Sequence, residues 1–596
     1  IYVLTGDGNK SGIGGCFEGE ACFNYGAVSN GVYKSSNGGN SWIRVSSFSS
    51  HLDSIDYFGR NIIINPTDPN VLYAATSKGL YKTIDTGNNW VLKTDTVNIW
   101  DVVFKPNSPD SVYCVGDNFL QKTNAAGNFM NVNVDSLSLA DRVSIAVTPA
   151  NPNKIVLFAG NDAQNSCVGV FVSNNSGTNF TRYASSTGGQ FNLFHNYIDA
   201  DVTLAQQDYN NTVAISPSNE NVILVGGLCV WSSQNGGVDW QQETAYGYSS
   251  NILHEYIHPD QHHLIYHPNG KLYVSNDGGV YVSEDDGDDW DFIETGLSIT
   301  QFYHFEWEND EGNPWGGTQD NGILERFNYY EYRVYSGGDG YDVMTDHPWR
   351  ASDGDSDDVY FSANEKIKKD GFAWGGIIDI SVPNNTDFFA NLAMKPDEED
   401  YIYAGYQKST YRSPNAGGTW ITMPDSIPGN WSIATGSNHP YRIYTSGYNT
   451  HWDTSRIFRN DWPTSVDITN GLLAQGYKRN KKITDIEVDE LNDDILYVSC
   501  GGINDTTKVF MSTDAGSTWT NLTFNLPKVP VFCIKKDELD GLYIGTSIGV
   551  YYKQASNNYW EPFYNELPPV PITQIEIEGQ FVHCSTFGRG LWTTKK

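Results

Sequence analysis

The chain has 596 residues, of which 39% are hydrophobic, 14% aromatic and only 18% charged. That length exceeds one ordinary domain and suits several domains or one large repeat array, while the aromatic content argues against disorder. Against 37 basic residues stand 71 acidic ones, a net charge of −34; such a chain repels duplexes and anionic lipid surfaces, so nucleic acid is not an expected partner.

Ile1 opens directly into the strand-like IYVLTG, and the chain reads as mature or trimmed. No run of about 20 apolar residues follows, so direct membrane insertion is not expected. The 58 glycines and the scarcity of helix-forming runs predict tight turns and an all-β fold. Cys16 and Cys22 bracket the short loop CFEGEAC and are predicted to close a disulfide, which fits an oxidising, exported setting. The other six cysteines (Cys114, Cys167, Cys229, Cys500, Cys533, Cys584) are scattered, several inside strand-like runs, and are expected to be buried thiols.

From residue 31 onward a unit repeats. GVYKSSNGGNSW ends at Trp42, GLYKTIDTGNNW at Trp90, VFVSNNSGTNF at Phe180, VWSSQNGGVDW at Trp240, VYVSEDDGDDW at Trp290, TYRSPNAGGTW at Trp420 and VFMSTDAGSTW at Trp519. Degenerate copies close at Phe129 and Trp560. The aromatic before each turn serves as a ruler: Tyr33, Tyr81, Phe171, Trp231, Tyr281, Tyr411, Phe510, Tyr551 and Trp592, with Leu120, Phe458, Leu324 and Tyr360 filling the gaps. This gives about thirteen units of about 46 residues, the size of a propeller blade of short strands. Runs such as VLYAAT and KLYVS alternate as half-buried strands do. Two tandem seven-bladed propellers are predicted, over 1–300 and 301–596, with one ring of about ten blades as the alternative. The C-terminal GRGLWTTKK is expected to supply a strand that closes the first ring.

The turn S/T-x-D/N-x-G-x-x-W resembles the Asp-box, or BNR, repeat. Its carboxylate or amide (Asn37, Asp85, Asn175, Asn235, Asp285, Asn415, Asp514) accepts backbone N–H groups, its Gly supplies the positive φ, and its Trp packs between blades. In that family the boxes sit at the blade periphery and report the fold rather than the chemistry. Asp285, Asp286 and Asp288, with Asp289, form an acidic cluster dense enough for calcium, although no EF-hand pattern is present.

Residues 254–342 carry features that the turn does not require. HEYIHPDQHH holds His254, His258, Asp260, His262 and His263, with His267 close behind. His258, Asp260 and His262 alternate and would share one face of a strand, which permits a polar binding surface, a hydrogen-bond network or metal ligation. Asp277, Gln319, Asp320, Asn321, Asp339 and Asp342 extend the candidate site. The run HPDQHH, SNDGGVYVSEDDG, GLSITQFY, GGTQDNG and GGDGYD resembles secreted sortilin-like or BNR-repeat propellers of the Bacteroidetes, many of which carry a removable sorting domain for type nine secretion. That resemblance implies a secreted or cell-surface protein, with outer-membrane secretion or gliding machinery among its partners. More distantly the chain is similar to the tandem-propeller xyloglucan-cleaving glycoside hydrolases, whose substrate lies between two propellers with two Asp as acid and base. Their base position is Ser77 here; Asp7 and Asp277 are looser matches, and Asp320 and Asp339 are the expected catalytic carboxyls if the chain is an enzyme. Sialidases need an arginine triad and an FRIP-like segment, and neither is present. The expected function is a binding or adhesion module for a glycan or protein ligand. The alternatives are glycoside hydrolysis and a structural role in a surface assembly.

Overall fold

The computed structural model describes residues 1–6, 29, 31–45, 58–94, 98–164, 166–185, 192–195, 206–246, 255–293, 296–307, 314–328, 331–345, 358–371, 376–383, 385, 390–395, 398–406, 409–423, 431–439, 441–448, 454–502, 506–563 and 567–596. Cys16, Cys22, Asp7 and His254 lie outside these residues.

The chain is an all-β tandem propeller. It divides into two compact units, one running to Gly296 and the other Leu297–Lys596. Thirteen antiparallel sheets of three or four strands follow one another among the described residues. Six lie in the first unit (2–44, 59–94, 99–132, 142–183, 212–242, 261–292) and seven in the second (302–336, 340–379, 391–422, 432–467, 483–521, 531–562, 572–595); they are numbered blades 1 to 13 here. In each four-stranded blade the strands lie in sequence order, a meander joined by tight turns. The second unit closes on itself, because the first strand of blade 13 packs beside the first strand of blade 7, where Gln574 Oε1 accepts the Phe305 N–H at 2.9 Å. The strand Leu591–Lys595 pairs with Phe581–Thr586 inside blade 13, so among the described pairings it is not the expected closing strand of the first unit. Tyr360 also departs from its predicted place: it lies on the second strand of blade 8, and Lys366–Gly371 is the third.

Apolar side chains fill the seams between consecutive blades. Trp290 of blade 6 packs with Ala214, Val222 and Leu224 of blade 5, and Trp519 of blade 11 packs with Ile468 and Leu472 of the preceding segment. All six scattered cysteines are buried free thiols.

The recurring turn is built alike in seven blades. In blade 11 the Ser512 hydroxyl donates to Asp514 Oδ1 at 2.9 Å and accepts the Gly516 N–H at 2.8 Å, while Asp514 Oδ1 accepts the Thr518 N–H at 2.7 Å. The same three contacts occur around Asn37, Asp85, Asn175, Asn235, Asp285 and Asn415. The glycine takes a φ of +83° at Gly516, where a side chain is strained.

A second device sits at the inner strands. Three aspartates each accept the next residue's N–H together with an N–H of the following blade. Asp101 takes Val102 at 2.7 Å and Ile145 at 3.4 Å. Asp342 takes Val343 at 3.0 Å and Leu392 at 2.7 Å, and Asp485 takes Ile486 at 2.8 Å and Ile534 at 3.0 Å. Each carboxylate thereby clasps two blades and satisfies donors that would otherwise be orphaned.

Candidate functional site

In the first unit the polar residues singled out around 258–277 gather in the seam of blades 5 and 6. The inner strand of blade 6 begins only at Gln261 (Gln261–Tyr266), and Asp260 has a φ of +67°. His258, Asp260 and His262 therefore do not share a strand face; the alternation was a coincidence of spacing across a loop–strand junction. His258 is buried beneath Gly278, where a Cβ would come within 2.4 Å of its side chain, and its carbonyl accepts the amides of Gln261 at 2.7 Å and Asn276 at 2.8 Å. Its role is to pin the loop.

The loop then presents a hydrogen-bonded group. Asp277, in the tight turn between the second and third strands, lies 2.6 Å from His262 Nε2 through Oδ1 and accepts the Tyr209 hydroxyl at 3.1 Å on Oδ2. The rings of Tyr209 and His262 meet edge to face at 4.8 Å. Asp260 accepts the Asn210 amide and, at 3.3 Å, that of Gln206. Burial first, and then the neighbouring Asp277 charge, pushes the Asp260 carboxyl up to about 6. Asp260, His262, Tyr209 and Asp277 are all half-buried, so a polar ligand can reach carboxylates that the fold already orients. Gln206, Tyr209 and Asn210 were not legible as partners, because the loop that brings them lies about 50 residues upstream and carries no motif of its own.

Asp320 and Asp339 do come together, in the seam of blades 7 and 8. Asp339 Oδ1 accepts the backbone N–H of Asp320 at 3.0 Å, and the Asp339 N–H donates to Asn364 Oδ1 at 3.0 Å. Asn321 bridges to Gly338, and Gln319 Oε1 accepts the Tyr303 hydroxyl at 3.4 Å. The geometry is that of a braced turn. Asp342 is 8% exposed and serves as one of the inter-blade clasps, with His304 Nδ1 2.9 Å from its Oδ1. Of the acidic cluster, Asp285 holds its own turn, and Asp286 accepts the Tyr266 hydroxyl at 2.6 Å. Burial, then the neighbouring Asp285 charge, raises the Asp288 carboxyl. Among the described residues no group of three His, Cys, Asp or Glu side chains is arranged to hold a metal ion.

A second polar group went unread in the sequence. In the second unit, bulges precede His304, Asp485, Cys533 and Gln574 on four inner strands, and a bulge re-aims the side chains after it. Two residues on, and therefore on the same face, stand Glu306, Glu487, Lys535 and Glu576. Lys535 Nζ lies 3.1 Å from Glu576 and 4.0 Å from Glu487. The Glu487 and Glu576 charges raise the Lys535 ammonium well above its ordinary value. Burial pushes the Glu487 carboxyl up to about 7. Glu306 is raised well above the carboxylate range, by burial first and then by Glu576.

No protein-family model and no curated protein matches this chain. Solved structures do. A GH74 enzyme of Niastella koreensis superposes with a TM-score of 0.61 at 16% identity, over 94% of this chain and 86% of that one. A GH74 xyloglucanase of Xanthomonas campestris gives 0.61 at 14%, over 90% and 82%, and an ancestral GH74 enzyme 0.50 at 14%, over 95% and 94%. At these identities the likeness is one of fold, a tandem propeller.

Proposed function

We propose that this chain is an exported or cell-surface propeller that binds a glycan through the Asp260–His262–Asp277–Tyr209 seam of its first unit. The observation that carries the reading is the pair of half-buried, pre-oriented carboxylates beside an imidazole and a phenol. Carboxylates accept hydrogen bonds from sugar hydroxyls, and Tyr and His rings cover apolar sugar faces. The structural neighbour named as a xyloglucanase points to xyloglucan as the first ligand to try. A protein ligand, and attachment to secretion or gliding machinery, are the partner readings that the sequence resemblance adds.

One observation favours hydrolysis as a second reading. A carboxyl that keeps its proton to about pH 6 beside a second carboxyl is what an acid/base pair needs. Incubation with xyloglucan and a polysaccharide panel, following both binding and reducing ends, separates the two. Binding without release, weakened at least tenfold in Asp277→Ala, is the expected result. Release abolished by Asp260→Asn would establish the enzyme instead, and neither binding nor release would refute both.

A further inference from the structure

The axis of the second unit holds a cavity of about 180 Å³ lined by residues of all seven inner strands of that unit. Its charges do not balance internally. Asp342 and Asp485 are each satisfied by two backbone N–H groups, and Asp342 also faces His304. Among the described residues Lys535 is the one cation that meets all three glutamates. Glu576 has Lys535 and the Gln574 amide, the latter at 2.9 Å. Glu487 has the Lys536 N–H at 3.2 Å and shares Lys535. Among the described residues the Glu306 carboxyl has no hydrogen-bond partner, only the charges around it. The residue is half-buried, and it shares a strand face with His304, which lines the cavity. A half-buried carboxyl left without a donor on a strand face that borders a cavity marks the place of a missing donor.

The donor's chemistry follows from the walls. The glutamates gather around the single Lys535 ammonium, and among the described residues no trio of carboxylates converges as metal ligands. Trp431, Leu392 and Ile433 add apolar wall between them. Carboxylates beside apolar wall suit an ammonium, whose N–H donors meet the carboxylates while its methylene stem covers the wall, better than a bare metal ion that needs converging oxygen ligands. We propose that this channel is a binding site for a small organic cation, a primary ammonium group, with Glu306 as its principal acceptor. The site is separate from the seam of the first unit and does not rest on glycan binding.

The full chain is titrated by calorimetry at pH 7.5 with butane-1,4-diamine, an acetyl-lysine-amide peptide, butane-1,4-diol and calcium. Binding of either amine with net proton release, read from two buffers of different ionisation enthalpy, is expected, because the cation favours the ionised glutamates. Tighter binding of the diamine identifies a free amine as the source, and tighter binding of the peptide a lysine side chain. Glu306→Gln should weaken the amine at least tenfold, and Glu487→Gln serves if that variant does not fold. Equal binding of diol and diamine, calcium binding in place of the amines, no binding of either amine, or amine binding unchanged in both variants would each overturn the proposal.

Discussion

A carboxyl enclosed beside another carboxyl holds its proton to higher pH, and Asp260 does so through burial and then Asp277. Its folded value of about 6 lies above the roughly 3.9 of an unfolded Asp. The contribution to stability is therefore complete below about pH 4 and is lost as pH rises to about 6. Asp260→Asn should flatten that decline, worth roughly 1–3 kcal/mol for the first unit. Urea denaturation at pH 4, 5, 6 and 7 checks it, and an unchanged slope would show that Asp260 is not perturbed. This residue was legible because HPDQHH and SNDGG concentrate polar chemistry between His258 and Gly279. The alternation argument about it failed because period-2 reasoning holds only inside a strand, and the strand starts one residue later.

At the scale of the element, the turn and the clasp make different demands. The Ser/Thr–Asp/Asn–Gly turn is closed by contacts four residues apart, so the motif itself predicts the geometry, and Ser512→Ala should cost about 1–2 kcal/mol by leaving the Gly516 N–H short of an acceptor. The clasp is non-local. Asp485→Ala removes an acceptor from Ile486 and from Ile534 of the next blade and should destabilise the second unit by about 2–4 kcal/mol, measured as a fall in its denaturation midpoint. A loss no larger than that of Ser512→Ala would show the clasp to be dispensable. Sequence patterning placed Asp342 in the candidate binding site rather than in a clasp, and it did not single out Asp485 or the axial glutamates, whose partners come from separate blades. The available signal was faint: polar residues at alternate positions of otherwise apolar inner strands, as in His304 and Glu306 or Asp485 and Glu487.

At the scale of the whole molecule, the repeat length and the aromatic ruler yield the propeller, and the thirteen described blades agree with about thirteen predicted units. The axial cluster adds a pH dependence to the second unit. Because burial raises Glu487 to about 7 and Glu306 in the same direction, that unit should lose stability as pH rises from about 4.5 to 7. Glu487→Gln should remove part of the slope, as followed by hydrogen exchange of the strand Ile483–Val488. The placement of the glycan site is tested most directly by hydrogen exchange of the full chain with and without a bound xyloglucan oligosaccharide. The account predicts protection confined to 206–210, 258–262 and 276–279. Protection elsewhere, or none at a saturating concentration, would contradict it.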